Sequence, residues 1–151
     1  MTDPIVRLVK IEPMRAALVN AVSKTPEIDA STALLTWAQS KGLLDDPSTY
    51  LRFGRNNPPP SPDKEEYGYD SMITVNPKIE PEGNIKIHTI SGGLYAVVRA
   101  NLTNIGKMWH WLYDWVENNN YKIADHGLEE VLSGDESDLD SFLLDLWLPL
   151  A

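Results

Sequence analysis

The last strand-like segment of the chain places an acid and an indole on the same face. Leucines occupy every second position from Leu144 to Leu150, and Asp145 and Trp147 lie between them. Successive side chains of a strand point to opposite faces, so the leucines share one apolar face and Asp145 and Trp147 share the other. The leucine face is predicted to be core. Trp147 is predicted to be the wall of a ligand groove, the alternative being an exposed surface residue.

A second strand-like segment carries two adjacent glutamates. Alternation points Leu128, Glu130 and Leu132 one way and Glu129 and Val131 the other. If the leucines face the helix layer, Glu129 faces the groove. A carboxylate in an aromatic cleft of low dielectric is costly alone and favours a cationic partner. The alternative is that both glutamates are solvated on an exposed strand.

Other chemical groups in the sequence form no recognisable site. His88, His110 and His126 lack metal-ligand spacing, and the chain has no cysteine. The acidic run from Asp135 to Asp140 lacks the glycine and spacing of a calcium loop and is interpreted as solvated. No nucleophilic serine arrangement is recognisable. No metal and no other cofactor is therefore predicted.

The elements that must position these residues form two similar series of strand, strand, helix, strand and strand. Hydrophobic alternation, proline and glycine positions and helical apolar spacing define them. In the first half the strands are 5–10, 16–22, 50–53 and 67–75, with a helix starting at 25–26. In the second half they are 85–90, 94–100, 128–132 and 142–150, with a helix over about 105–116. Strands 85–90 and 94–100 are predicted to pair as a hairpin around Gly92 and Gly93.

This order indicates an internal repeat, with repeat 1 at about 5–76 and repeat 2 at about 84–151. Three landmarks recur in register, including an Asp followed by an apolar run at Asp70 and at Asp145. The fold class is predicted to be α+β: tandem duplicated modules within one domain, antiparallel sheets, one main helix per half and a groove between the halves. Tyr69, on the strand equivalent to that of Trp147, is a groove candidate or a core residue with its hydroxyl at the rim.

Composition limits the classes of partner. The 151 residues suit one domain, and the net charge of −9 argues against direct binding of nucleic acid or an anionic membrane. No signal segment or bilayer-length apolar run is recognisable, so a soluble, cytoplasmic protein is expected. The sequence names no separate protein partner.

The segments 90–97, 109–115, 128–132 and 144–150, with Tyr67 to Asp70, resemble the GyrI-like effector-binding domains. These also form the ligand-binding halves of bacterial multidrug-responsive transcription regulators. The resemblance implies a small-molecule groove that contains a glutamate from the strand after the second helix, here Glu129. Val131 stands where the family often has tyrosine. The Trp109 position of the family approaches the pocket, although its place in the apolar stripe of the helix also fits core.

The resemblance leads to a hypothesis of a freestanding protein that binds or sequesters small amphipathic cations through Glu129, Trp147, Trp109 and Tyr69. No helix-turn-helix segment precedes residue 5. The alternative is a hydrolase of strained, cyclopropane-containing or other xenobiotic compounds, with Glu129 as the general base; whether the protein is an enzyme is left open. A third, weaker alternative is inhibition of DNA gyrase, as in the member that named the family.

Overall fold

The computed structural model describes residues 4–133 and 141–151, which form an α+β fold of antiparallel strands and two α-helices. The chain divides into two compact units. We call Met14–Ile90 the central unit and Met1–Pro13 with Ser91–Ala151 the terminal unit. The elements in chain order are β1 (Arg7–Ile11), β2 (Met14–Ser23), α1 (Pro26–Ser40), β3 (Arg52–Asn56), β4 (Tyr67–Thr74), β5 (Lys86–Ile90), β6 (Gly93–Asn101), α2 (Ile105–Asn118), β7 (Leu128–Ser133) and β8 (Leu143–Pro149).

The two units have the same strand order, with one edge strand exchanged between the halves of the sequence. In the central unit the order is β5-β2-β4-β3, and in the terminal unit it is β1-β6-β8-β7. The predicted hairpin of residues 85–90 and 94–100 is wrong, because β5 pairs with β2 and β6 pairs with β1. Hydrophobic alternation identifies strands but not their partners, and the compact units therefore differ from the repeat boundaries predicted from the sequence.

Each helix packs on one face of the strands of its own unit through apolar residues spaced four apart. In α1 these residues are Ala30, Leu34 and Ala38, and in α2 they are Met108, Leu112 and Val116. This spacing places them on a single helical stripe. The alternate leucines of β8 from Leu146 onward pack against α2, as the sequence predicts. In each unit, we call the face of the strands opposite the packed α-helix the helix-free face.

A buried aspartate lies at the equivalent position on the helix-free face of each unit. Asp70 of β4 accepts hydrogen bonds from Asn20, Arg55 and Asn57 at 2.8, 2.9 and 3.1 Å. Asp145 of β8 accepts from Arg7 and Arg99, each at 2.6 Å. The two carboxylates are 2% and 4% exposed, so these donors supply the partners that a buried charge requires.

Two further sequence predictions concern the acidic run and membrane-spanning segments. The acidic run from Asp135 to Asp140, which the sequence predicts to be solvated, lies outside the described residues. Within the described ranges, neither helix is long and apolar enough to cross a membrane.

Gly54 lies in close contact with Tyr69 in the core of the central unit. A Cβ atom at Gly54 would overlap the hydroxyl of Tyr69, whose ring is buried. We expect Gly54→Ala to lower the free energy of unfolding by about 1–3 kcal/mol, the usual cost of overpacking. Urea unfolding measures this loss.

Gly106→Ala is the matched control for that substitution. Gly106 lies in α2, and nothing lies within 4 Å of a Cβ atom built there. The change should leave stability equal or raise it by up to about 1 kcal/mol, because alanine favours helix. Equal effects of the two substitutions would contradict the contact with Tyr69.

Candidate functional site

The helix-free face of the terminal unit brings together an indole, a phenol and a carboxylate. The pairing of β7 with β8 sets Leu128 opposite Trp147 and Glu130 opposite Asp145. Directly opposite residues of an antiparallel pair point to the same face. Trp147, Leu128, Glu130 and Asp145 therefore share the helix-free face. Tyr95 of β6 also belongs to this group, through its contact with Trp147.

Trp147 is the centre of this group. Its Nε1 donates a hydrogen bond of 3.1 Å to Oε1 of Glu130. The ring of Tyr95 meets the indole edge-on, with centroids 5.4 Å apart and planes at 71°. This is a favoured geometry for an aromatic pair. The Tyr95 hydroxyl donates to the Ser91 carbonyl at 2.6 Å, which anchors the ring.

The surroundings of Glu130 make its ionisation unfavourable. Burial is the largest cause that raises the pKa of the Glu130 carboxyl, and the negative charge of Asp145 adds to it. The Trp147 hydrogen bond, Arg7 and Arg99 act in the opposite direction and lower it. The balance is a raised pKa. A half-buried carboxylate of this kind gains from a positive partner or from a proton.

Asp145 engages both neighbouring arginines. Its two oxygens accept one hydrogen bond each, Oδ2 from Nη2 of Arg7 and Oδ1 from Nε of Arg99. In the described part of the chain, the one hydrogen-bond partner of Glu130 is Trp147. The two acids of this face therefore differ: Asp145 is ion-paired, and Glu130 is not.

The structure corrects the predicted direction of Glu129. Glu129 lies opposite Leu146, and Leu146 belongs to the α2 core. Glu129 therefore points to the helix side, away from Trp147. The sequence argument assumed that Leu128 faces the helix, but Leu128 is buried on the helix-free face. From Leu128 to Val131, before the register shift at Ser133, the side chains of β7 thus point to the faces opposite to those expected.

Trp109 and Tyr69 lie on the helix sides of their units. Trp109 packs against the α2 core, close enough to Gly127 that a Cβ atom there would overlap the indole. Tyr69 is 6% exposed and belongs to the α1 core of the central unit. Neither shares a face with Trp147. The roles of Glu129, Trp147, Trp109 and Tyr69 in ligand binding stay predictions.

Sequence reasoning missed Tyr95, Arg7 and Arg99. Tyr95 and Arg99 are four residues apart in β6, and this even spacing indicates that they share a face. Arg7 belongs to β1, whose partner β6 is remote in the sequence, so no local pattern could place it. The sequence pattern indicated Glu130 only as the residue next to Glu129, the glutamate predicted to face the groove.

Within residues 4–133 and 141–151, no group of three or more His, Cys, Asp or Glu side chains could hold a metal ion. The Tyr95 hydroxyl is a further titratable group of the site. Burial, followed by the charge of Asp125, raises its pKa. Tyr95 therefore stays a neutral phenol near neutrality. The site therefore combines two buried aromatic rings, Trp147 at 8% and Tyr95 at 2% exposure, with the half-buried carboxyl group of Glu130 and the ion-paired carboxylate of Asp145.

The chain belongs to the GyrI-like family: the GyrI-like small molecule binding domain matches residues 5–151. This confirms the resemblance found in the sequence. No curated protein matches the chain significantly.

Solved structures share this fold. The EcmrR C-terminal domain has a TM-score of 0.73 at 16% identity, with 98% of each chain covered. In a complex of EcmrR with DNA, 97% of this chain matches 57% of the EcmrR chain at the same TM-score and identity, so the chain spans little more than half of that protein.

A hydrolase from Listeria innocua has a TM-score of 0.71 at 10% identity, with 97% of this chain and 91% of that chain covered. SAV2435 bound to tetraphenylphosphonium has a TM-score of 0.56 at 10% identity, with 97% and 94% covered. At these identities the similarities establish the fold.

The raised pKa of Glu130 predicts a pH dependence of stability. A raised pKa means that the folded protein holds the proton more tightly than the unfolded chain. The free energy of unfolding should therefore fall as the pH rises from the ordinary glutamate value through the raised one. Glu130→Gln, which mimics the protonated acid, should become more stable relative to the wild type across this window.

Urea unfolding at several values between about pH 4 and pH 8 measures this difference. Glu117→Gln, which removes an exposed carboxylate from α2, is the control. A constant difference between Glu130→Gln and the wild type at every pH would contradict the unfavourable ionisation of Glu130.

Proposed function

We propose that the protein binds small amphipathic cations on the helix-free face of the terminal unit, with Glu130 as the charged contact and Trp147 as the aromatic one. The observation that carries the proposal is the contact between these two side chains. A half-buried carboxylate with a raised pKa gains from a cation that enters beside it. The indole adds apolar area and cation–π attraction of about 0.5–2 kcal/mol.

The arginines of this face leave the Glu130 charge available. Arg7 and Arg99 each form an ion pair with Asp145 at 2.6 Å. Among the described residues, Glu130 forms no ion pair of its own. Asp145 thus forms the direct ion pairs with the two arginines whose charges also act on Glu130, and a cationic ligand can supply the direct ion pair that Glu130 lacks among the described residues.

The central unit has different residues at the positions that Trp147 and Glu130 occupy in the terminal unit. With Asp70 and Asp145 superposed, β4 places Met72 where β8 has Trp147, and β3 places Arg55 opposite Asp70. The central unit therefore has a cation at the position of Glu130. We infer that the two units derive from one duplicated module, and that the terminal unit has taken the cation-binding role.

Two features of the relatives are compatible with this proposal. SAV2435, which shares the fold, binds tetraphenylphosphonium, an organic cation with four aromatic rings. EcmrR carries the fold as a C-terminal domain in a DNA complex. The present chain is expected to bind or sequester small cations on the same fold.

Titration with tetraphenylphosphonium tests the proposal. Binding should quench tryptophan emission, and Glu130→Gln should weaken the affinity about tenfold, because a charge-assisted contact is lost. Glu129→Gln is the matched control on the same strand, and it should change the affinity less than about twofold.

A titration without quenching in the wild type would reject cation binding. Equal weakening by Glu129→Gln and Glu130→Gln would reject Glu130 as the charged contact.

Trp147→Phe, which keeps an aromatic ring but removes the indole N–H, should retain most of the affinity and lose part of the quenching.

A hydrolase function is the second candidate, and the raised pKa of Glu130 favours it. A carboxyl group with a raised pKa can act as a general base at neutral pH. Glu130 would take a proton from water while the water oxygen attacks a strained carbon ring. The ring bond then breaks, and the released carbon takes up a proton.

Mass spectrometry of a cyclopropane-containing electrophile distinguishes the two functions. Hydrolysis adds the mass of one water, and Glu130→Gln should abolish this product. A compound that binds and is recovered unchanged identifies the protein as a binder of that compound.

A further inference from the structure

Four charged side chains share the helix-free face of the terminal unit. Arg99 of β6 lies opposite Asp145 of β8, which in turn lies opposite Glu130 of β7. Arg7 of β1 extends over the same face and donates a hydrogen bond to Asp145 at 2.6 Å. Among the described strand residues of this unit, the registers place no other charged side chain on this face. The two carboxylates and the two guanidinium groups therefore balance when Glu130 is ionised.

Asp145 and Glu130 differ in what they can offer a ligand. Both arginines bond the Asp145 carboxylate, which is 4% exposed, so its oxygens have partners inside the protein. Glu130 is half-buried and accepts a hydrogen bond from the Trp147 indole. Within residues 4–133 and 141–151 it has no ion pair. This face therefore provides one carboxylate for a direct ion pair with a ligand.

The guanidinium groups act on the space beside Glu130 as well as on Asp145. Because β8 lies between β6 and β7, Asp145 separates Arg99 from Glu130 on this face. Burial raises the pKa of Glu130, and the positive charges of Arg7 and Arg99 act against this increase. Charges that favour the Glu130 carboxylate in this way repel a further cation nearby. A ligand on this face thus meets attraction at Glu130 and repulsion on the side of Asp145.

A ligand with two separated positive charges cannot pair both of them here. Its first charge can pair with Glu130. Its second charge would leave water without a second available carboxylate, and an unpaired charge is costly to desolvate. The side chains of Arg7 and Arg99, at 51% and 57% exposure, add a repulsion that depends on ionic strength. A neutral apolar group in the same place has neither cost.

We propose that Arg7 and Arg99, held in place by Asp145, make the Glu130 site selective for singly charged organic cations over doubly charged ones. This inference rests on the proposed function and specifies its class of ligand. The arginines act in two ways: they occupy the other carboxylate on the described strands of this face, and they repel the second charge. The preferred ligand has one positive charge surrounded by apolar groups.

Two aryl cations of equal shape test this selectivity. Para-tert-butylphenyltrimethylammonium carries one charge, and para-phenylene-bis(trimethylammonium) has a second trimethylammonium group in place of the tert-butyl group. Each is titrated into the wild type at low ionic strength, with tryptophan emission as the readout. The monocation should bind at least about tenfold more tightly than the dication. Added salt should reduce this preference, because it screens the exposed arginines.

Removal of one arginine should narrow the preference. Arg7→Gln should strengthen binding of the dication about three- to fivefold relative to the monocation, because one repelling charge is lost and Asp145 keeps a single guanidinium partner. Arg7→Lys, which keeps the charge, should retain the wild-type preference. Lys10→Gln is the matched control and should leave the preference unchanged. It removes an exposed cation of the same strand that lies opposite Leu94, and therefore on the helix side.

Equal affinity of the wild type for the two ligands would overturn the selectivity and leave cation binding at Glu130 intact. The same conclusion follows if Arg7→Gln and Lys10→Gln change the preference equally, because the effect would then come from net charge. If neither aryl cation binds, selectivity fails, and the proposed function fails with it only if tetraphenylphosphonium does not bind either. If Arg7→Gln alters the fold, Arg99→Gln, which should act in the same direction, and the two ligands on the wild type decide the outcome.

Discussion

The pairing of a buried aspartate with side-chain donors, at Asp70 on β4 in the central unit and at Asp145 on β8 in the terminal unit, is the interaction on which this structure depends. Moving a carboxylate out of water is costly unless donors surround it. Asp145 meets this requirement with Arg99 from the neighbouring strand and Arg7 from β1. Since β1 comes from the other end of the chain, this ion pair links the exchanged edge strand to the terminal unit.

The same requirement separates Asp145, which stabilises the fold, from Glu130, which is proposed to contact the ligand. Asp145 and Glu130 lie opposite each other, but within residues 4–133 and 141–151 Asp145 has ion-pair partners and Glu130 has none. Asp145 thereby orders the arginines. The carboxyl group of Glu130, beside the Trp147 indole, has a raised pKa. The central unit has Arg55 where the terminal unit has Glu130, so the same scaffold has an acid in one unit and a base in the other.

The helices and strands could be predicted from local patterns because each depends on neighbours in the sequence. Apolar residues four apart define α1 and α2, and alternate leucines identify the core face of β8. The strand partners could not be predicted, because the exchange of β1 and β5 involves residues that are remote in the chain. The candidate site was therefore only partly predictable: Trp147 was identified by alternation, whereas Arg7 had no local signal.

The choice between Glu129 and Glu130 shows the same limit most clearly. The sequence by itself determined that the two glutamates point to opposite faces, that a GyrI-like α+β fold is present, and that Trp147 opposes the leucine core. Only the tertiary structure decided which glutamate lies beside Trp147, because the register between β7 and β8 sets the face. Alternation has a period of two residues, so it separates the faces of a strand but does not say which face the helix covers.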